Sequence, residues 1–296
     1  MFENKEIRLR NETFEVRLAP EIGGSIAAFD YMHSDGTRTP ILRTCDKPEP
    51  TVLDMGSFPL VPYCNRIRDG RFAFRGREVH LAANMAGDPS PLHGQGWLAV
   101  WQVEAAGDTA AELVFRHAPG EWPWAYEARQ TFRLDENGLA FGLTCRNLAN
   151  EPMPCGLGIH PYFLCTPETE LDTAVSDVWT IDENVLPVDR ISASGRYDLR
   201  KRPICGQELD NGYAGWSGEA TVRTPATPFV IRMTSSNAHY FQVYSPVQGG
   251  FFAAEPVGHA NAALNESEED WASLGIHVLE PSGTLGLDVR IDAVVT

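Results

Sequence analysis

Several features that commonly identify a class of protein are absent from this sequence. No apolar run is long enough to cross a bilayer as a helix, so no membrane-spanning segment is predicted. Neither a Gly-x-x-x-x-Gly-Lys-Ser/Thr loop nor a Gly-x-Gly-x-x-Gly loop after a strand is present, which excludes two common nucleotide-binding motifs. The 21 prolines and 26 glycines are spread along the whole chain, and they leave little room for long helices.

Positive charge is also scarce. Lys and Arg total 24 against 40 Asp and Glu, which gives a formal net charge of −16. Such an excess of negative charge repels polyanions. We therefore expect neither nucleic acid nor an anionic membrane surface as a partner.

The cysteines and the opening segment bear on the cellular compartment. The six cysteines include no Cys-x-x-Cys pair and no zinc-finger spacing, which predicts reduced and mostly buried thiols. Residues 1–18 are charged and lack the apolar region of a signal peptide. We therefore expect a cytoplasmic protein.

What the sequence does contain is hydrophobic spacing of two, the pattern of half-buried strands. Phe14, Val16 and Leu18 alternate with charged residues near one end, and residues 285–291 alternate in the same way near the other. Asp69-Gly70 and Asn137-Gly138 each lie between two strand-forming segments, as in tight hairpins. Only residues 265–275 suggest a helix, and it is short.

These patterns predict an all-β fold, a large antiparallel β-sandwich with one exposed concave sheet face. No linker composition and no repeat of solenoid length divides the chain. We therefore expect a single domain over residues 1–296.

Two ionisable residues stand out because each lies in an apolar run. His160 lies in GLGIHPYFLC, where Pro161 restricts its backbone to extended geometry. Glu255 follows GGFFAA, where a carboxylate is costly to bury without a partner. A lone histidine on an apolar strand is more often a hydrogen-bonded core residue, yet an imidazole and a carboxylate together suit a general acid and a general base.

Four motifs follow one another along the chain. They are Asn65-Arg66, Leu92-His93-Gly94-Gln95-Gly96-Trp97, His160-Pro161-Tyr162-Phe163, and Glu255-Pro256 with Asn261 and Asn265. In this order they resemble the motifs of the aldose 1-epimerase (galactose mutarotase) family. HPYF is the most specific of them, and the resemblance spans most of the chain.

The resemblance implies a galactose mutarotase-like supersandwich that interconverts the α and β anomers of a free monosaccharide without a cofactor or metal. By position, Glu255 would take the proton of the anomeric hydroxyl and His160 would protonate the ring oxygen. Substrate-binding roles would then fall to five further residues, which are Asn65, Arg66, His93, Trp97 and Asp210. A turn is an equally good interpretation of Asp210, and core packing is the ordinary role of Trp97 and of Trp216.

Alternatives remain open at this stage. A sugar-binding protein without turnover would share the fold, but it needs neither an acid nor a base. A metal enzyme using His93, His160 and His259 lacks the short local spacing of usual ligands.

The sugar itself is also open. A hexose-6-phosphate epimerase would need clustered cations for the phosphate. Arg66, Arg68 and Arg71 are close in sequence, but the net charge disfavours a dianion, so we expect a neutral sugar to be preferred. Either a monomer or a homodimer is compatible with the sequence.

Overall fold

The computed structural model describes residues 6–225 and 227–295, so residues 1–5 of the opening segment lie outside it. Within that range the regular structure consists of strands and short 3-10 turns, which confirms the predicted all-β class. None of the described helices is long and apolar enough to cross a membrane. The strands are β1 (Ile7–Arg10), β2 (Phe14–Ala19), β3 (Ser25–Met32), β4 (Arg38–Leu42), β5 (Pro59–Leu60), β6 (Arg71–Phe74), β7 (Arg77–His80), β8 (Gln102–Ala106), β9 (Ala110–His117), β10 (Tyr126–Leu134), β11 (Gly138–Asn147), β12 (Met153–Cys155), β13 (Gly158–Ile159), β14 (Tyr162–Leu164), β15 (Glu170–Thr173), β16 (Asp177–Ile181), β17 (Pro187–Ser192), β18 (Arg202–Pro203), β19 (Leu209–Ala214), β20 (Glu219–Arg223), β21 (Phe229–Thr234), β22 (Tyr240–Ser245), β23 (Phe251–Val257), β24 (His277–Leu279) and β25 (Thr284–Val295). The 3-10 turns are Val52–Asp54, Arg68–Gly70, Gly96–Leu98, Gly195–Tyr197, Ala263–Asn265 and Trp271–Leu274.

Two large antiparallel sheets dominate the fold. One has nine strands in the order β18-β15-β20-β21-β25-β11-β10-β9-β8. The other has eight strands: seven in the order β17-β16-β19-β22-β23-β13-β5, with β14 also paired to β23. A four-stranded sheet, β1-β2-β3-β4, and the pairs β6-β7 and β12-β24 complete the described structure.

The core lies between the inner faces of the two large sheets. Leu287, Val289 and Ile291 of β25 belong to the same buried cluster as Phe241 and Val243 of β22. Successive side chains in a strand point to opposite faces. Tyr240, Gln242 and Tyr244, which alternate with Phe241 and Val243 in β22, therefore face away from this core. That second face of the eight-stranded sheet is where the candidate site lies.

Local predictions had mixed outcomes. The terminal alternations do form strands, β2 and β25, and Asn137-Gly138 does connect β10 to β11. Asp135 closes that hairpin, because its Oδ1 accepts the backbone N–H groups of Asn137 and Gly138 at 2.9 and 3.2 Å.

The hairpin predicted at Asp69-Gly70 is wrong. Residues 68–70 form a 3-10 turn, and the hairpin that follows joins β6 to β7 through residues 75 and 76. The segment before Asp69 pairs elsewhere, because Arg66 bridges Leu92 instead. Local turn chemistry was therefore overruled by a long-range pairing.

The helix predicted over residues 265–275 is also wrong, since only two short 3-10 turns form there. Side chains of this segment bond to a distant loop: Asn265 Oδ1 accepts the Arg68 N–H at 2.7 Å, and Glu268 Oε1 accepts the Arg75 N–H at 2.5 Å. Trp271 is buried in the core, and Gly275 ends the turn with a left-handed φ of 90°. The segment is therefore held in an irregular conformation by hydrogen bonds to residues 68 and 75 rather than as a helix.

Candidate active site

A cavity of about 400 Å³ opens on the face of the eight-stranded sheet that points away from the core, a size typical of small-molecule sites. All seven residues selected from the sequence line it, together with nine that were not selected. The lining residues are Arg43, Leu53, Phe58, Asn65, Arg66, Met85, Leu92, His93, Trp97, His160, Tyr162, Asp210, Gln242, Tyr244, Phe251 and Glu255.

Strand alternation places Glu255 in this cavity. Phe252 and Ala254 of β23 belong to the core cluster. Successive side chains alternate between faces, so Phe251, Ala253 and Glu255 point to the cavity side of the sheet. Gln242 of β22 lies directly opposite Glu255 in the register and shares its face. Only 2% of the Glu255 surface is exposed.

His160 meets Glu255 across the cavity floor. The His160 Nε2 atom lies 3.2 Å from Glu255 Oε1, and both side chains are buried. The imidazole is fixed between aromatic rings, with centroids 4.5 Å from Phe58 and 4.5 Å from Tyr162. Its Nδ1 atom is buried and has no hydrogen-bond partner among the described residues.

Burial controls the charge of this pair. It raises the pKa of Glu255 well above 4.5, with a further contribution from the negative charge of Asp210, while Arg66 opposes the shift. It also lowers the pKa of His160 to about 3, and the positive charge of Arg43 acts in the same direction. Both groups are therefore held toward their uncharged forms, with one exchangeable proton available between Glu255 and His160 Nε2.

His93 is held in one tautomer. The ring Nδ1 of His93 accepts the backbone N–H of Asn65 at 3.0 Å. In return, the backbone N–H of His93 donates to the backbone carbonyl of Asn65 at 2.9 Å. Burial lowers the pKa of His93 well below 6.5, followed by the charges of His160 and Arg66. A neutral ring whose Nδ1 is an acceptor carries its proton on Nε2, so His93 can donate one hydrogen bond to a ligand.

This mutual pairing is reinforced by unusual backbone geometry. Asn65 and His93 both adopt left-handed φ, at 56° and 60°. For residues other than glycine, this region costs about 1–2 kcal/mol each. Such strain persists only where the surroundings fix the conformation, and it is concentrated at functional sites.

Arg66 lies in the cavity wall and links two neighbouring polar side chains. Its Nε donates to Asp88 Oδ2 at 2.8 Å, and its Nη1 donates to Asn65 Oδ1 at 3.0 Å. The two side chains of the Arg66–Asp88 ion pair are only 9% and 8% exposed. Arg68, two residues further along the chain, lies in a 3-10 turn and is exposed outside the cavity.

Asp210 belongs to the cavity as well as to a strand. It lies on β19 directly opposite Tyr244, and its Oδ1 accepts the Gln242 Nε2–H at 2.7 Å. Burial raises its pKa. The alternative interpretation of Asp210-Asn211-Gly212 as a turn is wrong, because all three residues lie within β19.

Two residues left open by the sequence lie outside the cavity wall. Trp216 stacks on Phe241 with centroids 4.8 Å apart and donates its indole N–H to Thr173 Oγ1 at 2.8 Å, so it is a core residue. His259 uses both ring nitrogens: Nε2 accepts the Cys64 N–H at 2.8 Å and Nδ1 donates to the Ala260 carbonyl at 2.7 Å.

The alternative of a three-histidine metal site therefore fails on His259, which has no lone pair left for a metal. Among residues 6–225 and 227–295, no three His, Cys, Asp or Glu side chains are grouped so as to hold a metal ion. Independence of metal remains a prediction.

Several lining residues were missed by the sequence reasoning. Arg43 follows the apolar end of β4, and Gln242 lies between Phe241 and Val243 in β22. Each is a polar residue at or within an apolar run, the same signal that selected His160 and Glu255. Tyr162 was quoted within HPYF but was given no role, although its ring contacts His160.

The fold and the site together place an imidazole beside a carboxyl group in a cavity of about 400 Å³ on a β-sandwich, and comparison with known proteins gives the family. The profile of the family described as aldose 1-epimerase matches residues 5–270. This protein therefore belongs to the aldose 1-epimerase family.

Individual relatives agree with this assignment. The uncharacterized Escherichia coli K12 protein YphB is 33% identical over 232 residues, which cover 75% of this chain and 79% of YphB. A crystal structure of an E. coli K12 protein aligns with a TM-score of 0.89 and 28% identity over 99% of both chains. A galactose mutarotase-like protein of Clostridium acetobutylicum aligns with a TM-score of 0.85 and 17% identity over 99% of this chain and 96% of its own, which shows the shared fold.

Proposed function

We propose that the protein is an aldose 1-epimerase that interconverts the anomers of a free, unphosphorylated aldose by acid–base catalysis without a cofactor. The observation that carries the proposal is the buried contact of 3.2 Å between His160 Nε2 and Glu255 Oε1 on the floor of the cavity. The ring oxygen and the anomeric hydroxyl oxygen are bonded to the same carbon. An acid and a base that serve them must therefore lie side by side, as these two groups do.

In the proposed reaction, the proton shared by the pair first moves from Glu255 to His160 Nε2, which leaves a carboxylate beside an imidazolium. Glu255 then accepts the proton of the anomeric hydroxyl while His160 Nε2–H gives its proton to the ring oxygen. The bond between the anomeric carbon and the ring oxygen breaks, and an open-chain aldehyde forms. Rotation about the bond between the first and second carbons presents the other face of the aldehyde. The reverse proton transfers then close the ring as the other anomer, and both residues return to their initial protonation states.

The remaining polar residues would hold the sugar. His93, Arg66 and Asp210 all line the cavity, where the imidazole and the guanidinium can donate hydrogen bonds and the carboxyl group can accept them. Trp97 and Phe58 offer apolar surface to the C–H groups of a sugar ring, with their own rings 5.6 Å apart. Binding of this kind needs no charged group on the sugar.

Two features support an unphosphorylated substrate. Arg66 is already neutralised by Asp88, and Arg68 and Arg71 are exposed outside the cavity. The cluster of cations that a phosphate dianion requires is therefore not assembled from the NRIRDGR segment. We further propose that the protein acts in the cytoplasm, which the six free thiols support.

The test is anomeric exchange measured by saturation-transfer NMR on a panel of aldoses, with and without the protein. We expect faster exchange for at least one neutral hexose or pentose, unchanged after exhaustive EDTA treatment. Loss of activity on chelation that is restored by zinc would contradict the metal-free mechanism. Sugar binding without any acceleration would instead favour the sugar-binding protein that lacks turnover.

A further inference from the structure

Arg43 contributes a guanidinium group to the wall of the cavity, and the proposed reaction does not use it. It forms no salt bridge with any residue in the described part of the chain. Asp54, whose charge acts on it, is bonded instead to Lys47 Nζ at 2.5 Å. A partly buried cation without a counter-ion is costly unless a ligand supplies the opposite charge.

The side chain is fixed as if for binding. Arg43 Nη2 donates to the carbonyl groups of Leu53 and Met55 at 2.6 and 2.7 Å. The guanidinium carbon lies 3.8 Å from the centroid of the Tyr162 ring and 5.0 Å from that of Phe251. Arg43 Nε is buried, and the Tyr162 side chain also interacts with the guanidinium, so Nη1 is the donor that remains for a ligand.

The number of unpaired charges in the cavity limits what this ligand can be. Arg66, the other cation of the lining, is paired with Asp88 at 2.8 Å. The carboxyl groups of Asp210 on β19 and Glu255 on β23 also line the cavity, and neither can offset a negative charge on a ligand. Arg43 alone thus matches one negative charge, whereas a dianion would retain an uncompensated charge.

The position of Arg43 indicates which part of a sugar carries that charge. The Tyr162 ring contacts both Arg43 and His160, with the His160 centroid 4.5 Å away. In the proposed reaction His160 serves the ring oxygen, and in a six-membered hexose ring that oxygen is bonded to the carbon that bears the exocyclic group. The exocyclic group therefore lies on the Arg43 side of the cavity.

We propose that Arg43 is a specificity-determining residue that binds a single negative charge on the exocyclic carbon of an aldose, as in the carboxylate of a hexuronate. This inference rests on the proposed function, because it uses the orientation that His160 imposes. It differs from the expectation of a neutral substrate, which rested on the net charge and on the arginines of the NRIRDGR segment, and it retains the expectation that a 6-phosphate is disfavoured.

The experiment compares galacturonate with its methyl ester, which has nearly the same shape and no charge, and with galactose and a hexose 6-phosphate. For the wild-type protein we expect kcat/KM to be at least about tenfold higher for galacturonate than for the ester, equal to about 1.4 kcal/mol. The preference should weaken as salt rises. Equal kcat/KM for the acid and the ester, or a preference for the phosphate, would overturn the proposal without the use of any variant.

Arg43→Met keeps an unbranched stem over Tyr162 and removes the charge. We expect it to abolish the preference for the acid over the ester, and Arg43→Lys to restore part of it. Arg68→Met, an exposed arginine outside the cavity, is the matched control and should keep the wild-type ratio. If Arg43→Met lowers kcat/KM for the acid and the ester equally, Arg43 shapes the cavity but does not bind the negative charge.

Calorimetric titration separates this inference from the proposed function. If galacturonate binds wild type and fails to bind Arg43→Met, but no sugar is epimerised, the acid–base proposal fails and the binding role of Arg43 stands. If neutral sugars are epimerised while galacturonate binds no better than its ester, the epimerase proposal stands and the role of Arg43 fails.

Discussion

Strands β25 and β23 are built from similar apolar residues but bury them differently. In β25 the burial alternates: Leu287, Val289 and Ile291 face the core, while Asp288 between them is exposed. In β23 every residue after Phe251 is buried, on both faces of the strand. One face of β23 packs into the core, and the other forms the floor of the cavity that contains Glu255.

This difference shows where a sheet can support chemistry. A carboxylate on the outer face of β25, such as that of Asp288, is exposed to water. A carboxylate on β23 is removed from water, so its charge depends on its few neighbours. The energetically costly burial of Glu255 with His160 occurs on β23, which is buried on both faces. The alternating strand β25 contributes apolar side chains to the core and so stabilises the fold.

The largest expected effect separates the two strands by activity. Glu255→Gln on β23 and His160→Gln beside it should each lower kcat by about 10²–10⁴-fold, because each removes one of the two proton-transfer groups. Asp288→Asn makes the same carboxylate-to-amide change on β25 and should epimerise at the wild-type rate. Saturation-transfer NMR measures all three, and wild-type turnover by either site variant would remove that residue from the acid–base pair.

The converse change tests the stability role of β25. Leu287→Ala removes a buried side chain that is 2% exposed, and should lower the free energy of unfolding by about 2–5 kcal/mol. Turnover per folded molecule should remain near that of wild type, because Leu287 belongs to the core cluster and does not line the cavity. Urea denaturation followed by activity measurements checks this. A parallel loss of kcat in the folded protein would show that the two strands are not separable.

The same contrast explains what the sequence could predict. The sequences of β2 and β25 alternate between apolar and polar residues, and Asn137-Gly138 is typical of a tight hairpin. The all-β class could therefore be predicted from the sequence. β23 has no alternation, and only a lone ionisable residue in an apolar run marks it. That signal selected His160 and Glu255, and the resemblance to the family supplied five further residues of the cavity wall, Asn65, Arg66, His93, Trp97 and Asp210.

What could not be predicted depends on contacts that are distant in sequence. Asp88 is 22 residues from the Arg66 that it neutralises. Arg43 reaches the cavity through Tyr162, whose position is set by the pairing of β14 with β23. The Asp69-Gly70 hairpin and the helix at residues 265–275 were wrong for the same reason, since long-range hydrogen bonds outweighed local preference.

A third prediction concerns substrate binding on the cavity side. Arg66→Met should raise KM roughly 10- to 100-fold, because a hydrogen bond from a charged donor contributes about 1.5–3 kcal/mol. Steady-state kinetics on the best aldose provides the measurement. Arg66→Met also leaves Asp88 buried without a partner, so the double variant with Asp88→Asn is the control. If the double variant regains the wild-type KM, Arg66 serves only to neutralise Asp88.

The smallest expected effect is a pH-dependent gain in stability for Glu255→Gln. Because burial raises the pKa of Glu255 well above 4.5, the folded protein retains a proton that the unfolded chain releases above that pH. The folded state then binds more protons than the unfolded state, and wild-type stability falls as pH rises through this interval. Glutamine does not ionise, so the stability gain of Glu255→Gln should widen as pH rises above about 4.5 and reach about 0.5–2 kcal/mol.

His160 gives the opposite slope and thereby a check on sign. Burial lowers its pKa to about 3, so between that value and 6.5 the unfolded chain binds a proton that the folded protein does not, and stability falls as pH is lowered. Melting temperatures of wild type, Glu255→Gln and His160→Gln across this range separate the two contributions, with the exposed Asp288→Asn as control. If Glu255→Gln is instead less stable than wild type at about pH 7, the resting pair is a carboxylate bonded to an imidazolium, and the site stabilises β23 rather than straining it.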